Sequence, residues 1–404
     1  MRSVSIHCTS CGQKIESKEA VFRCNICNEP VEFEIEGLKE AKINDGNLLT
    51  QTIWERYADF LPFFDKESEL SLGEGFTPLT NLKKLSESIG IGDLYIKNES
   101  QNPTWSFKDR GTAYGIMHAR KLGYKKIGTV STGNMATSVA AYGAAAKMET
   151  FVLVSKNISP EKINPIAIYN PHLIKVEGNY GDLYFESLEI GKDKDIYFIN
   201  SDVPMRVEGS KTIAFEICEQ LNFKMPDYVI VPTSAGGNIR GIEKGFREFK
   251  VCGLIDYVPK FICAQASGCS PIYNAFMDGS NAITRVDNPH TIAHAIENPY
   301  PPSGNQVLRM LRNNGGIATA VSDYEILKAQ ALMAEQGIFG QPASAVPLAA
   351  VIKLKAEGFL KGNENIVCIA TGSGLKYTAA LDMQKLYSVE CKIEKLIDFI
   401  SKNY

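Results

Sequence analysis

Three absences narrow this sequence before any motif does. It has no charge excess: 43 lysines and arginines face 46 aspartates and glutamates, a net of −3. That leaves no whole-chain electrostatic case for a nucleic acid or an anionic membrane as partner. It has no apolar run of membrane-spanning length, so no membrane association is expected. Its opening residues, Met1-Arg2-Ser3-Val4-Ser5-Ile6-His7-Cys8, hold no apolar core of a signal peptide, and a cytoplasmic location is expected. Nor does the chain carry a convincing internal repeat or low-complexity tract. What is present suits a soluble globular protein: 404 residues, enough for two or three domains, with 44% hydrophobic and 22% charged residues.

The cysteines fall into two sets. Cys218, Cys252, Cys263, Cys269, Cys368 and Cys391 are scattered, mostly in apolar runs, and read as reduced thiols. Cys8, Cys11, Cys24 and Cys27 crowd the start in a Cys-x2-Cys-x12-Cys-x2-Cys pattern. Each Cys-x2-Cys turn can present two thiolates to one ion, and two such turns complete a tetrahedron. A unit of about 36 residues buries too little apolar surface to fold alone, and a structural Zn²⁺ would supply the missing free energy. Two disulfides or four free thiols are the other readings of the same spacing. Residues 1–36 are therefore expected to form a zinc ribbon, with His7 a bystander because four sulfurs already fill the site.

From Asp93 onward short, partly β-branched runs alternate with helical segments. The runs are Lys126 to Val130, Thr150 to Val154, Leu173 to Val176, Tyr197 to Ile199, Tyr228 to Val231, Phe261 to Ala264 and Ile366 to Ala370. Strands spaced by helices predict parallel α/β layers. The strands are too many for one sheet with short loops, so two sheets with a cleft between them are expected. The division expected is 37–93 as a lead-in segment packing on the large domain, 94–203 as a small α/β domain and 204–404 as a large one.

Four polar loops sit at strand ends in this scheme, where open α/β sheets bind ligands. The first, Asn102-Pro103-Thr104-Trp105-Ser106-Phe107-Lys108-Asp109-Arg110-Gly111, places a lysine between a strand and a helix. A desolvated lysine among cations loses its proton easily and can condense with an aldehyde, although Ser-Phe-Lys-Asp is also a plausible exposed helix start. The second, Ser131-Thr132-Gly133-Asn134, gathers hydroxyls, N–H groups and an amide at a helix N-terminus, as an anion site or an ordinary cap would. The third, Ser234-Ala235-Gly236-Gly237-Asn238, has the glycines that let backbone approach a phosphate. It lies late in the chain and lacks the G-x-G-x-x-G spacing of a dinucleotide fold, which argues against NAD. The fourth begins at Thr371 and again sets a hydroxyl and two glycines at a strand end. Together the loops offer a lysine for an aldehyde, a polar contact for a ring hydroxyl, a phosphate cradle and a hydroxyl for a ring nitrogen, which is what pyridoxal 5'-phosphate needs.

From Gly73 to about Lys385 the chain resembles the threonine synthase family, within the β-family (fold type II) of pyridoxal-phosphate enzymes. The matching stretches are the four loops and Gly73-Glu74-Gly75-Phe76-Thr77-Pro78-Leu79. The resemblance implies that Lys108 holds the cofactor covalently and is catalytic. It implies that Asn134 meets the ring 3'-oxygen, that Ser234, Ala235, Gly236, Gly237 and Asn238 cradle the cofactor phosphate, and that Thr371 faces the ring nitrogen. Ser131 and Thr132 are implied substrate contacts. The stretch Asn200 to Thr212 separates these synthases from their relatives, and Asn200, Ser201 and Arg206 are implied to grip a substrate phosphate. An arginine fork with amide and hydroxyl donors suits a phosphate dianion.

The implied reaction turns O-phospho-L-homoserine and water into L-threonine and phosphate, on a small phosphorylated amino acid, with a homodimer expected. Met135, Val203, Ser210, Gln341, Ser373 and Tyr377 depart from the family's usual residues and bear on the substrate pocket. Two alternatives remain at this point: a β-eliminating deaminase on the same fold, and a zinc-ribbon binding protein on a retired enzyme scaffold.

Overall fold

A computed structural model of the chain describes residues 2–16, 20–131, 133–156, 160–177, 180–377 and 390–403. Its strands form three sheets. The largest has six strands in the spatial order Ile317–Val321, Lys260–Ala266, Tyr228–Pro232, Ile366–Ala370, Leu94–Asn98 and Leu79–Asn81. All its pairings are parallel except that of the edge strand Leu79–Asn81. The second sheet is wholly parallel, in the order His172–Val176, Glu149–Ser155, Lys126–Val130 and Ile196–Phe198. Ile366–Ala370 and Ile196–Phe198 are buried at every position. Helices cover both faces of such strands, so they read as unbroken apolar runs and not as an alternation.

One strand expected in the smaller unit pairs elsewhere. Leu94–Asn98 does not open the smaller unit. It pairs from Leu94↔Ile366 to Asn98↔Ala370 and belongs to the six-stranded sheet. The four-stranded sheet therefore takes its strands only from Lys126 to Phe198. The physical reason is that Leu94, Ile96 and Ile366 share one apolar cluster, and nothing local to Leu94 announces a partner so distant in the chain.

The lead-in segment is anchored by large side chains. Thr52 caps the short helix Ile53–Arg56 through a reciprocal capping box with Glu55. Trp54, Tyr57 and Phe60 are buried, and the Tyr57 and Phe60 rings lie 5.0 and 5.1 Å from that of Phe215. Arg56 and the Tyr57 hydroxyl both reach the Glu219 carboxylate.

The N-terminal sheet is antiparallel, with Val4–Cys8 between Lys14–Ile15 and Val31–Ile35. It is not a detached unit. Cys8, Cys24, Val31 and Phe33 belong to the same buried cluster as Trp54, Phe215 and Phe249. Glu32 pairs with Arg240 at 3.0 Å, and Glu29 with Arg309 at 2.8 Å. Elsewhere Cys218, Cys263, Cys269 and Cys368 are buried free thiols, while Cys391 is exposed. No helix among the described residues is long and apolar enough to cross a membrane.

Candidate active site

The carboxyl ends of the two parallel sheets face a common cleft of about 640 Å³. Loops after Asn98, Val130, Pro232 and Ala370 feed it, where the open ends of parallel strands leave backbone groups unpaired. Lys108, Ser131, Asn134, Ser201, Arg206, Thr371 and the whole run from Ser234 to Asn238 line it. Thr132 lies outside the described residues.

Lys108 opens the helix Lys108–Lys121. The loop before it is held from both sides. Asp109 is buried and accepts from the Thr104 N–H at 2.6 Å and the Ser138 hydroxyl at 2.6 Å. The Phe107 N–H donates to the Thr371 carbonyl at 3.0 Å, and the Ser373 N–H to the Trp105 carbonyl at 3.0 Å. Two loops distant in sequence are thereby stitched edge to edge, and Lys108 and Thr371 meet at the seam. Burial, with the Arg206 charge added, brings the Lys108 amine down to about 7. A lysine near that value supplies a neutral nucleophile at neutral pH.

Asn134 starts the helix Asn134–Ala145, and its Nδ2 donates to Gln341 Oε1 at 3.1 Å. Gln341 thus turns the amide of Asn134. The cradle from Ser234 to Asn238 leads into the helix Gly237–Val251. Gly236 has φ of 96°, and a Cβ there would stand 2.9 Å from Ser303 Cβ. A Cβ at Gly237 would stand 2.5 Å from the Ser201 carbonyl oxygen. Only glycine fits either position, and backbone N–H groups are left facing the cleft at a helix N-terminus. Asn238 has both side-chain polar atoms buried without a protein partner. A buried amide in that state calls for a bound partner. Amine, anion cradle and orphaned amide together fit an aldehyde-bearing phosphate ester such as pyridoxal phosphate.

A buried cation lies on the helix Pro204–Gln220. Arg206 is buried, and its hydrogen bonds run to neutral oxygens: Thr112 Oγ1 at 2.9 Å and the Lys108 carbonyl at 3.2 Å. Burial lowers it to about 10, only partly offset by Asp109. Ser201 lines the cleft beside it. Asn200 does not. Its Oδ1 accepts from the Val130 N–H at 3.0 Å and its Nδ2 donates to Ser187 Oγ at 2.9 Å. That amide ties a strand end to a helix behind the wall, so the expected substrate contact is not where the structure places it.

Several cleft residues escaped the sequence reading. Asp182, Tyr184 and Phe185 come from the helix Tyr180–Lys194, and Arg285, His294, Asn298, Pro299, Tyr300 and Pro302 line the cleft from the other side. The turn-rich stretch Pro299-Tyr300-Pro301-Pro302 is the sequence signal available for that side. Lys376 also lines the cleft. Its ammonium donates to the Thr104 carbonyl at 2.7 Å, and burial, opposed by Asp109, takes it down to about 8. Glu74, from the opening signature, is buried away from the cleft and accepts from the Trp54 indole at 2.5 Å and the Tyr142 hydroxyl at 2.6 Å. It fastens the lead-in segment to the core.

The thiols of Cys8, Cys11, Cys24 and Cys27 lie within 4.8 Å of one another. Cys8 Sγ accepts from the Ser10 N–H at 3.4 Å and Cys24 Sγ from the Ile26 N–H at 3.4 Å. Such turns present sulfur as thiolate, and the set can hold one metal ion.

Fold and site together define a pyridoxal-phosphate enzyme of fold type II. The family of pyridoxal-phosphate dependent enzymes matches residues 70–372. A threonine synthase of Methanocaldococcus jannaschii is 42% identical over 375 residues, covering 91% of this chain and 92% of that protein. One from Methanosarcina acetivorans is 38% identical and covers 92% of each chain. Among solved structures, maize serine racemase superposes with a TM-score of 0.65 at 20% identity, covering 81% of this chain and 92% of that one. A threonine deaminase of Solanum lycopersicum gives 0.63 at 23% identity, over 77% and 88%. These two share the fold. The chain belongs to the pyridoxal-phosphate dependent enzymes and, within them, to the threonine synthase family.

Proposed function

We infer that the chain converts O-phospho-L-homoserine and water into L-threonine and phosphate, with pyridoxal phosphate on Lys108. One observation carries this reading: a buried Arg206, beside Lys108 in the cleft, whose hydrogen bonds among the described residues run to neutral oxygens. A phosphorylated amino acid carries a phosphate besides its α-carboxylate and so needs one more anion contact than a free amino acid does, and Arg206 is suited to supply it. An unpaired buried guanidinium is costly unless an anionic ligand completes it.

When bound, pyridoxal phosphate supplies the carbonyl that captures the substrate amine and a ring that spreads the negative charge left at the α carbon. The Ser234 to Asn238 backbone and the Asn238 amide hold its phosphate. Asn134, aimed by Gln341, meets the ring oxygen. Thr371 offers the ring nitrogen a neutral hydroxyl. Lys108, kept neutral by burial, takes the α proton and then a β proton, and returns protons to the γ carbon that loses phosphate and to the α carbon, while water adds at the β carbon. Arg206 and Ser201 orient the phosphate that departs from the γ carbon, and Ser131 contacts the substrate beside them. The four thiols hold a structural Zn²⁺, since a full set of protein ligands leaves no open catalytic position. A cytoplasmic homodimer belongs to the same reading.

The test is the visible spectrum of the purified protein with pyridoxal phosphate, recorded before and after adding O-phospho-L-homoserine. A cofactor band that shifts with the phosphorylated substrate supports the reading. A protein with no cofactor band contradicts it.

A further inference from the structure

Arg23 sits next to Cys24 in the N-terminal sheet region, yet its side chain points out of that region. Its Nη1 donates to Asp202 Oδ2 at 2.9 Å and its Nη2 to the Pro302 carbonyl at 3.1 Å. The guanidinium carbon lies 5.8 Å from the centre of the Phe185 ring. These partners come from three places. Phe185 rides on the helix Tyr180–Lys194, which packs on the four-stranded sheet. Pro302 belongs to the loop leading into the helix Gly304–Asn314, on the six-stranded side. Asp202 lies between them, next to Ser201, and also accepts from the Tyr184 hydroxyl and from Ser303 Oγ at 3.3 Å. Tyr184, Phe185, Ser201 and Pro302 all line the cleft. One guanidinium therefore spans both walls at the end of the cleft where Ser201 stands. The Arg23 and Asp202 side chains are 11% and 2% exposed, so water screens the pair little.

The aim of Arg23 is fixed by the cysteine turn. Its Nε donates to the Asn28 carbonyl at 2.7 Å. The turn itself is closed by the Cys24 N–H on the Glu29 carbonyl at 2.9 Å and the Asn28 N–H on the Cys24 carbonyl at 3.0 Å. Cys24 and Cys27 both lie in that turn. The cofactor cradle also has a hold of its own: the Ser303 N–H donates to the Ala235 carbonyl at 3.1 Å, and Arg240 donates to Ser303 Oγ at 2.9 Å, so Ser303 stays anchored when Asp202 Oδ2, which it shares with Arg23, is displaced.

We propose that Arg23 is a positioning residue for substrate binding: carried on the four-cysteine turn, it fixes the spacing of the two cleft walls and the placement of Ser201 beside Arg206. The thiol-bound metal then sets affinity for the phosphate end of the substrate without touching the cofactor. The substrate named here rests on the function inferred above.

The test compares the wild-type holoenzyme with Arg23→Ala, Arg23→Lys and Cys27→Ser. Each is assayed with O-phospho-L-homoserine, titrated calorimetrically with inorganic phosphate and scanned for cofactor absorbance. Arg23→Ala is expected to raise KM and the phosphate Kd about tenfold, as loss of one charge-assisted contact network does. Its kcat is expected to stay within about threefold and the absorbance to stay unchanged. Arg23→Lys recovers part of the affinity, and Cys27→Ser with its metal lost reproduces Arg23→Ala. Unchanged KM and phosphate Kd in Arg23→Ala would overturn the proposal, as would cofactor loss in step with the rise in KM. A wild-type enzyme that binds phosphate without turning over the substrate would instead contradict the inferred reaction, and the phosphate Kd would still decide the role of Arg23.

Discussion

Arg206 bonds to the residue whose amine it tunes: its Nη2 donates to the Lys108 carbonyl at 3.2 Å while its charge, second to burial, lowers the Lys108 amine. With the Lys108 amine lowered to about 7 and Arg206 to about 10, Arg206 keeps the charge that an anionic ligand would meet in the cleft.

Lys108→Ala is expected to abolish covalent cofactor attachment and turnover while leaving the fold intact. The substitution removes both the anchor and the proton carrier, and the stem leaves a void at a solvent-facing cleft, not in the sheet core. Visible absorbance, product assay and far-UV circular dichroism read the three effects separately. Threonine formation at the wild-type rate by this variant would rule out the role assigned to Lys108.

Arg206→Ala is expected to raise KM for the phosphorylated substrate and to spare cofactor content. Losing a charge-assisted contact in a cleft costs on the order of 2–4 kcal/mol. Cofactor loss equal to the loss of substrate affinity would reassign Arg206 to the cofactor site.

Cofactor reconstitution should depend on pH in a stated direction. With Lys108 at about 7, its amine is protonated below that pH and neutral above it. The rate of absorbance gain on adding pyridoxal phosphate to cofactor-free protein should therefore rise as pH increases through about 7. Arg206→Ala removes a charge that lowers the lysine, so the midpoint should move upward. Stopped-flow absorbance across the neutral range reads both; a midpoint that stays near the ordinary lysine value of about 10.4 would contradict the account.

Metal removal should act locally first. One metal ion per chain is expected by elemental analysis, from four thiols within 4.8 Å. Chelation, or Cys8→Ser with Cys11→Ser, should raise hydrogen exchange in Val4–Cys8 and Val31–Ile35 before the parallel sheets respond. Because Cys8, Val31 and Phe33 share the core with Phe215, the melting temperature of the whole protein should also fall. Bleaching of the cofactor at the moment of metal loss would refute the separation of the two sites.

The parts of this protein legible in sequence are those whose chemistry is local. Gly236 and Gly237 must be glycine because backbone and side chains crowd them, and such a requirement shows in the sequence itself. The Lys108 loop and the cysteine pairs are contiguous motifs for the same reason. What stayed hidden depends on partners far along the chain. Leu94–Asn98 gives no local sign that Ile366–Ala370 is its neighbour. Asn200 looks like a phosphate ligand beside Ser201 and Arg206, but hydrogen bonds to Val130 and Ser187 consume its amide. Arg23 reads as a linker residue between cysteines until Asp202 and Pro302 are placed against it.

The central claim is the reaction, and product analysis tests it most directly. Purified protein loaded with pyridoxal phosphate is incubated with O-phospho-L-homoserine, and phosphate, threonine and ammonia are quantified together. The account predicts equal amounts of phosphate and L-threonine, no ammonia, and loss of both products in Lys108→Ala. Ammonia and a keto acid from free serine or threonine, with no phosphate released from the phosphorylated substrate, would contradict it.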